Sequence, residues 1–173
     1  MNKRLFLAVW LCTLIFILQD FKFFQTVEND IVAITESTFD FITGFEGKRH
    51  KAYKDSRGLW TIGVGHLIKP DEKYLLTATL TDQQVEDLFK SDLRWCDDAV
   101  INSVSVPLNQ NQMDALYSLC FNIGADHFKS SEVVQHLNKN DYHGAANAFM
   151  NWVTPAVLKP RREKEKELFL TPI

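Results

Sequence analysis

The sequence predicts a mainly helical α+β fold, in which a small β-hairpin lobe joins a helical body and a hydrophobic anchor helix precedes both. Three observations support this fold class. Residues 5–18, LFLAVWLCTLIFIL, contain no charged side chain. Residues 44–66 hold five of the seven glycines and two short strand-like runs. Most of the remaining chain repeats apolar residues at intervals of three and four, the period of amphipathic helices. At 173 residues and 46% hydrophobic content, the chain is long enough for one globular domain and an appendage.

The N-terminal apolar block is expected to be a membrane anchor. Lys3 and Arg4 precede it, and a basic start followed by an apolar run is typical of a secretory signal. The residues that follow, QDFKFFQTVEND, do not offer the small residues at alternate positions that a signal peptidase requires. We therefore predict an uncleaved signal anchor over residues 1–25 and a polar tether over residues 26–36. Because the basic residues keep the N-terminus in the cytoplasm, the rest of the chain is expected outside.

The next predicted elements are a helix and a β-hairpin. The helix is expected to begin near Ser37, where the run STFD resembles a capping box, and to stop at Gly47, a common C-terminal cap. The run DSRG, which begins at Asp55, predicts a type I turn closed by glycine. Two short strands flank this turn, one ending at Tyr53 and the other starting at Leu59.

The remainder of the chain has helical periodicity. Capping runs at Thr81 (TDQQ) and Asn109 (NQNQ) begin two of the expected helices. The helices are predicted at residues 81–104, 109–123, 130–138, 141–152 and 161–169. Cys96 and Cys120 fall on apolar stripes of these helices, so we interpret both as packed small hydrophobes. A cleft between the hairpin lobe and the helical body is the natural ligand site of such a fold.

Two carboxyl groups in unlike surroundings are candidates for acid–base chemistry. Glu46 follows Phe39 and Ile42 at helical spacing, so it shares their apolar face, and it lies in the last turn, where the helix dipole is negative. Both features disfavour the ionised form, so the pKa of Glu46 is expected to rise, which would favour a proton donor. Asp55 lies on a solvated turn, where a carboxylate stays ionised, and Thr61 can hold a water molecule. Glycoside cleavage needs an acid and a base of this kind, although each residue alone is common at its position.

The residues around this pair resemble a known family. The chain is similar to the phage-type lysozymes, glycoside hydrolase family 24, at Phe45-Glu46-Gly47, Ala52-Tyr53, Asp55, Gly58, Trp60-Thr61-Ile62-Gly63 and Gly65-His66. In that family a Glu, eight residues, an Asp, five residues and a Thr form the catalytic triad. Glu46, Asp55 and Thr61 have these intervals. The similarity continues over residues 37–170 and implies a lysozyme-like catalytic domain over residues 37–173.

The resemblance implies a role for each triad residue. Glu46 is expected to be the general acid. Asp55 is expected to orient and activate the attacking water, with Thr61 as its partner on that water. Relatives of this kind invert the anomeric centre, which suits a water placed between acid and base.

Further residues match other positions of the family. Asn122 matches a residue that lines the sugar cleft. Arg162, and less closely Arg161, matches an arginine that pairs with the catalytic glutamate, and such a pair would oppose the rise in the pKa of Glu46. Asn122 and Arg162 are the expected substrate-binding residues. His66 resembles a structural histidine at the end of the hairpin. The resemblance implies no cofactor, no metal ion and a monomeric protein.

The implied function is that of an exported endolysin. Its expected substrate is bacterial peptidoglycan, in which it would cleave the β-1,4 bond between N-acetylmuramic acid and N-acetylglucosamine and so lyse the host cell. Residues 5–24 would cross the inner membrane, with the N-terminus in the cytoplasm and the catalytic domain in the periplasm, as in the signal-anchor-release endolysins. This anchor is rich in Leu, Phe and Ile rather than Gly and Ala, so its hold on the bilayer is expected to be firmer. Cys12 lies inside it, and its role is open.

Two other functions fit parts of the pattern. A lytic transglycosylase on the same fold makes anhydro ends without water, but Asp55 and Thr61 argue against it because that chemistry needs no water-holding pair. A catalytically silent wall-binding protein would not need an intact triad. Nucleic acid is not an expected partner, because the basic residues near the hairpin are local and few.

Overall fold

The computed structural model describes residues 34–55 and 57–172. Its helices, labelled α1 to α8, are Glu36–Glu46, Asp82–Asp92, Arg94–Ser103, Gln110–Ile123, Ala125–Ser130, Glu132–Leu137, Tyr142–Ala148 and Lys159–Leu170. Its strands, β1 to β3, are Arg49–Lys54, Trp60–Gly63 and His66–Leu67. Short 3-10 helices span Lys73–Leu76, Phe149–Trp152 and Ala156–Leu158. The mainly helical α+β class is confirmed, whereas the predicted anchor and most of the tether lie outside the described residues.

The N-terminal cap of the first helix lies two residues earlier than the sequence predicts. Thr35 is its N-terminal cap, and the Thr35 backbone N–H donates to the hydroxyl of Thr38 at 3.1 Å. The predicted cap at Ser37 is wrong, because the Ser37 hydroxyl donates instead to Asp114 of α4 at 2.6 Å. The predicted end is confirmed: Gly47 has φ +72°, a left-handed backbone that favours glycine, and its N–H donates to the carbonyl of Thr43.

The hairpin forms where the sequence predicts it. Strands β1 and β2 pair antiparallel with Tyr53 opposite Thr61, and the turn is closed by a bond of 2.9 Å from the Gly58 N–H to the Asp55 carbonyl. Strand β3 then pairs antiparallel with β2 to complete a three-stranded sheet. This third strand is not predicted, because two residues are too short to show an alternating pattern.

One long predicted helix is in fact two. Residues 81–104 fold as α2 and α3, and the chain bends at Leu93, where the Cys96 N–H bonds the Leu93 carbonyl at 2.9 Å. Leu93 and Cys96 are both buried, so the apolar period continues through the bend and conceals it from sequence reasoning. The predicted start at Thr81 is confirmed by its capping box with Gln84.

The later helices follow the predicted pattern with shifted ends. The helix predicted from residue 130 begins at Glu132, and the Ser131 hydroxyl accepts from the Val134 N–H as its N-terminal cap. Helix α5 is not predicted at all. The stretch predicted as one helix at residues 141–152 is α7 followed by a 3-10 turn, and α8 extends beyond the predicted range at both ends.

Helix α4 forms the centre of the body and packs against α8, α1 and α3. Its eight consecutive residues from Met113 to Cys120 are buried, as expected for a helix surrounded by others. Cys96 and Cys120 are free and fully buried, which confirms their interpretation as packed core residues. Burial and the neighbouring Cys120 raise the pKa of the Cys96 thiol far above its ordinary value, so Cys96 stays protonated. None of the helices in the described ranges is long and apolar enough to cross a bilayer.

Candidate active site

Glu46 lies in the last turn of α1, after Phe39 and Ile42, which are both buried. Its side chain is 31% exposed, and its Oε1 lies 2.5 Å from Nη1 of Arg161 on α8. The Arg161 guanidinium also lies over the ring of Phe45, 4.9 Å from its centre. The Glu46 carboxyl group is therefore held in one orientation by a cation that itself lies against an aromatic ring.

The sequence ranks the two adjacent arginines of α8 in the wrong order. Arg161, and not Arg162, is the bonded partner of Glu46. Arg162 is fully buried and donates from Nη2 to Oδ1 of Asn122 at 3.1 Å. Neighbouring residues on a helix point about 100° apart. Only one of the two arginines can therefore face Glu46, and the rotation of α8 is set by packing.

Glu165 is a buried carboxylate for which sequence reasoning assigned no role. Its Oε1 accepts from Ser118 Oγ at 2.6 Å, from Arg161 Nε at 3.0 Å and from Arg162 Nη2 at 2.9 Å. Its Oε2 lies 2.8 Å from Arg162 Nε, with an N–H too poorly aligned for a hydrogen bond, so that contact is an ion pair only. Its spacing of three and four residues from the two arginines is the signal that predicts such pairs.

Burial controls the electrostatics of this cluster. It raises the pKa of Glu165, while Arg162, Ser118 and Arg161 act in the opposite direction. Burial also lowers the pKa of Arg162 to about 10, against the attraction of Glu165. Arg162 therefore stays charged at neutral pH. Because it is fully buried, it is not placed to contact a substrate directly, and it supports Asn122 from beneath.

An open pocket of about 370 Å³ surrounds Glu46. Its lining residues are Phe45, Glu46, Asn122, Val157, Leu158, Pro160, Arg161 and Lys164. Glu46 and Asn122 thus share one pocket although 75 residues separate them in the chain. Because Arg162 bonds the Asn122 amide oxygen from below, the amide is held in a defined orientation at the pocket wall.

Asp55 accepts hydrogen bonds from its own turn. Its Oδ1 accepts the backbone N–H groups of Leu59 and Arg57, each at 2.9 Å, and its Oδ2 lies 3.1 Å from the Arg57 guanidinium. The Leu59 N–H, followed by the N–H and side chain of Arg57, lowers the pKa of Asp55 below its ordinary value. Asp55 is therefore a carboxylate at neutral pH, as its position on the turn predicts.

Thr61 is linked to Asp55 through Leu59. Thr61 is 2% exposed, and its hydroxyl donates to the Leu59 carbonyl at 3.2 Å. The same carbonyl accepts the Asp55 N–H at 2.9 Å. The structure thus brings Asp55 and Thr61 together on the hairpin, and Glu46, Asn122 and Arg161 together in the pocket. Among the described residues, Glu46 and Asp55 are not bonded to each other.

A second pocket of about 420 Å³ lies between the hairpin and the helical body. Its lining residues are Val64, Gly65, His66, Leu67, Lys69, Ser91, Asp92, Trp95 and Phe121. Trp95 is 40% exposed and stacks on Phe121, with ring centres 6.3 Å apart and planes 20° apart. Because Phe121 and Asn122 are neighbours at the end of α4, the two pockets open beside the same helix end. Sequence reasoning missed Trp95.

His66 is fixed between the lobe and the body. Its Nδ1 lies 2.9 Å from Asp92 on α2 and its Nε2 lies 3.0 Å from Glu72, and its side chain is 4% exposed. Both ring nitrogens are therefore occupied, which supports its structural interpretation. The part of the chain that the structure describes contains no group of three or more His, Cys, Asp or Glu side chains arranged to hold a metal ion.

Comparisons with known proteins add family information to this geometry. The family model described as "Phage lysozyme" matches residues 43–165. The endolysin of Salmonella phage P22 is 49% identical over 131 residues, which cover 73% of this chain and 90% of that protein. The crystal structure of a P22 lysozyme mutant matches at 44% identity with a TM-score of 0.76, covering 82% of this chain and all of that one. The SAR-endolysin of Enterobacteria phage P21 is 31% identical over 132 residues, covering 73% of this chain and 78% of that protein.

Proposed function

The chain belongs to the phage lysozyme family, and from that premise we propose that it hydrolyses the β-1,4 bond between N-acetylmuramic acid and N-acetylglucosamine in bacterial peptidoglycan. It is a lysozyme enzyme with a lysozyme-like fold. The observation that supports the proposed site is that its two carboxyl groups lie in unlike surroundings. Glu46 lies in a pocket against Arg161, and Asp55 is kept ionised by the N–H groups of its turn.

The proposed mechanism divides the work between these carboxyl groups. Glu46 donates its proton to the glycosidic oxygen as the bond breaks, and the Arg161 guanidinium stabilises the carboxylate that remains. Asp55 accepts a proton from a water molecule that attacks the opposite face of the sugar. The Thr61 hydroxyl donates a hydrogen bond to the Leu59 carbonyl, so its oxygen can still accept a hydrogen bond from that water.

A polymeric substrate explains the presence of two pockets. A glycan strand crossing the end of α4 would contact Asn122 beside Glu46 and then Phe121 and Trp95 in the second pocket. Flat aromatic faces with a few polar groups around them are suited to binding sugar rings. The second pocket, at about 420 Å³, is within the usual size of a ligand site.

The products of peptidoglycan digestion test this function. We expect mass spectrometry of the muropeptides to show reducing ends, with one oxygen taken from ¹⁸O-labelled water. The reason is that Asp55 and Thr61 are proposed to activate and hold an attacking water molecule. Proton NMR during the reaction should show the inverted anomer first. Heat-denatured protein is the control. Anhydro ends without label would instead identify a lytic transglycosylase, and no products would favour a wall-binding protein.

We also propose that the enzyme is tethered to the inner membrane through residues 5–24 before it acts in the periplasm. Two observations support this. Residues 5–18 are uncharged and follow two basic residues. In addition, several relatives, including that of Enterobacteria phage P21, are described as SAR-endolysins. Tethering would keep the domain close to the wall while the membrane holds its anchor.

Cell fractionation tests the tether. We expect the full-length chain to sediment with the inner membrane and to retain Met1, whereas a variant lacking residues 1–25 should stay in the cytoplasm because it lacks the export signal. Collapse of the membrane potential, followed by N-terminal sequencing, measures release. Soluble protein beginning at Met1 would establish a releasable anchor. A trimmed N-terminus would contradict the uncleaved anchor and indicate a cleaved signal.

A further inference from the structure

A buried carboxylate joins the beginnings of two helices far from the pocket. Asp114, in the second turn of α4, is 2% exposed. It accepts the hydroxyl of Ser37 at 2.6 Å and that of Thr38 at 2.6 Å, both from the first turn of α1, and the amide of Gln110 at 2.8 Å. Both hydroxyl bonds lie at the short end of the usual range for O–H···O bonds, so the start of α1 is bound firmly to the start of α4.

The other ends of the same two helices form the wall of the pocket. Glu46 lies eight residues after Thr38 on α1, and Asn122 lies eight residues after Asp114 on α4. Eight helical residues span about 12 Å. Thr38 bonds Asp114 at one end, and Glu46 and Asn122 line one pocket at the other. The two packed helices therefore run in the same direction and in matched register from the buried bond to the pocket.

The partner of Glu46 is also held by α4. Arg161 donates from Nη2 to the carbonyl and the hydroxyl of Ser118, at 3.1 and 3.2 Å. Ser118 lies midway between Asp114 and Asn122 on α4. Both groups that face Glu46 are thus fixed relative to α4, whereas Glu46 itself is carried by α1. The position of α1 along α4 decides whether they meet.

The remaining packing of α1 is mostly apolar. Phe39 makes an edge contact with Phe89 of α2, and Ile42 is fully buried. Apolar contacts are not directional, so they hold α1 against the body without fixing its axial position. The two short hydroxyl bonds to Asp114 are directional, and they supply the missing constraint.

We infer that Asp114 is a positioning residue for hydrolysis, which sets the register of α1 on α4 and so places Glu46 against Arg161 and Asn122. The inference rests on the proposed role of Glu46 as the general acid. A slip of one helical residue moves Glu46 by about 1.5 Å. Displacements of this size at a reacting group lower turnover about 100-fold.

Asp114→Ala tests the inference. We expect kcat on peptidoglycan to fall about 10- to 100-fold in folded protein, with KM changed less than about twofold, because proton donation is misplaced while the sugar contacts remain. Asp114→Asn should recover much of kcat, since its amide can still bond both hydroxyls once they rotate. Thr38→Val removes one of the two hydroxyl bonds to Asp114 together with the cap bond from the Thr35 N–H. It should lower kcat in the same direction and serves if Asp114→Ala does not fold.

The matched control is Tyr117→Phe. The Tyr117 hydroxyl donates to Asp97 of α3 at 2.5 Å, so this variant also removes a bond between α4 and a neighbouring helix. Helix α3 carries none of the residues around Glu46. We expect Tyr117→Phe to lower the melting temperature and leave kcat unchanged. An unchanged kcat in folded Asp114→Ala, or an equal loss in Tyr117→Phe, would overturn the inference.

A second readout separates this inference from the proposed function. The side-chain ¹³C shift of Glu46, measured by NMR at neutral pH, reports its contact with Arg161 whether or not the protein is active. We expect this shift to move in Asp114→Ala and to stay in place in Tyr117→Phe. If the wild-type chain produced no muropeptides but the Glu46 shift still moved in Asp114→Ala, the proposed function would be wrong. The inferred effect of Asp114 on the position of α1 along α4 would nevertheless hold. An unchanged Glu46 shift in Asp114→Ala would contradict the inference that Asp114 sets the position of α1 on α4.

Discussion

Glu46→Gln is expected to lower the rate of wall clearing about 10²- to 10⁴-fold, the usual contribution of a general acid. The glutamine amide has the same shape, and its oxygen can still accept the bond from Arg161. However, it has no proton acidic enough to transfer to the leaving oxygen. The measurement is the loss of turbidity of permeabilised cells with purified protein, together with thermal unfolding to show that the variant is folded.

Asp40→Asn is the matched control for this prediction. Asp40 is an exposed carboxylate on the same helix, outside the pocket around Glu46. We expect Asp40→Asn to clear cell walls at the wild-type rate, which would show that loss of a charge from α1 is not enough to stop the reaction. Wild-type activity of folded Glu46→Gln would remove Glu46 from the mechanism.

Glu165→Leu is expected to destabilise the fold by about 3–5 kcal/mol, the usual cost of removing one partner of a buried ion pair. Leucine fills a similar volume, so the loss comes from charge and not from a cavity. The variant leaves the fully buried Arg162 without its carboxylate, and Arg161 loses one of its supports. Urea unfolding followed by circular dichroism measures the free energy of unfolding.

Two further variants make this prediction specific. Glu163 lies on the same helix, is 56% exposed and forms a long surface pair with Lys159 at 3.8 Å. Glu163→Leu should change stability by less than about 0.5 kcal/mol. The double variant Arg162→Met/Glu165→Leu should recover part of the loss, because it removes the unpaired charge. Equal effects of Glu163→Leu and Glu165→Leu would mean that the buried cluster contributes no special stability.

The sequence by itself determined the features that depend on neighbouring residues. The caps at Thr81 and Asn109, the glycine that ends α1 and the turn that begins at Asp55 are all local signals, and the structure contains each of them. The spacing of Glu46, Asp55 and Thr61 identified the family in the same way. Such signals are readable because the atoms involved lie within a few residues of each other, so tertiary packing has little influence on them.

Only the tertiary structure decided which side chains meet across helices. It paired Arg161 rather than Arg162 with Glu46, and it directed the Ser37 hydroxyl to Asp114 instead of to its own helix. It also placed a bend at Leu93 inside an unbroken apolar period. The physical reason is the same in each case. Periodicity defines the apolar face of a helix, but the rotation and axial position of that helix are set by contacts with residues far away in the chain.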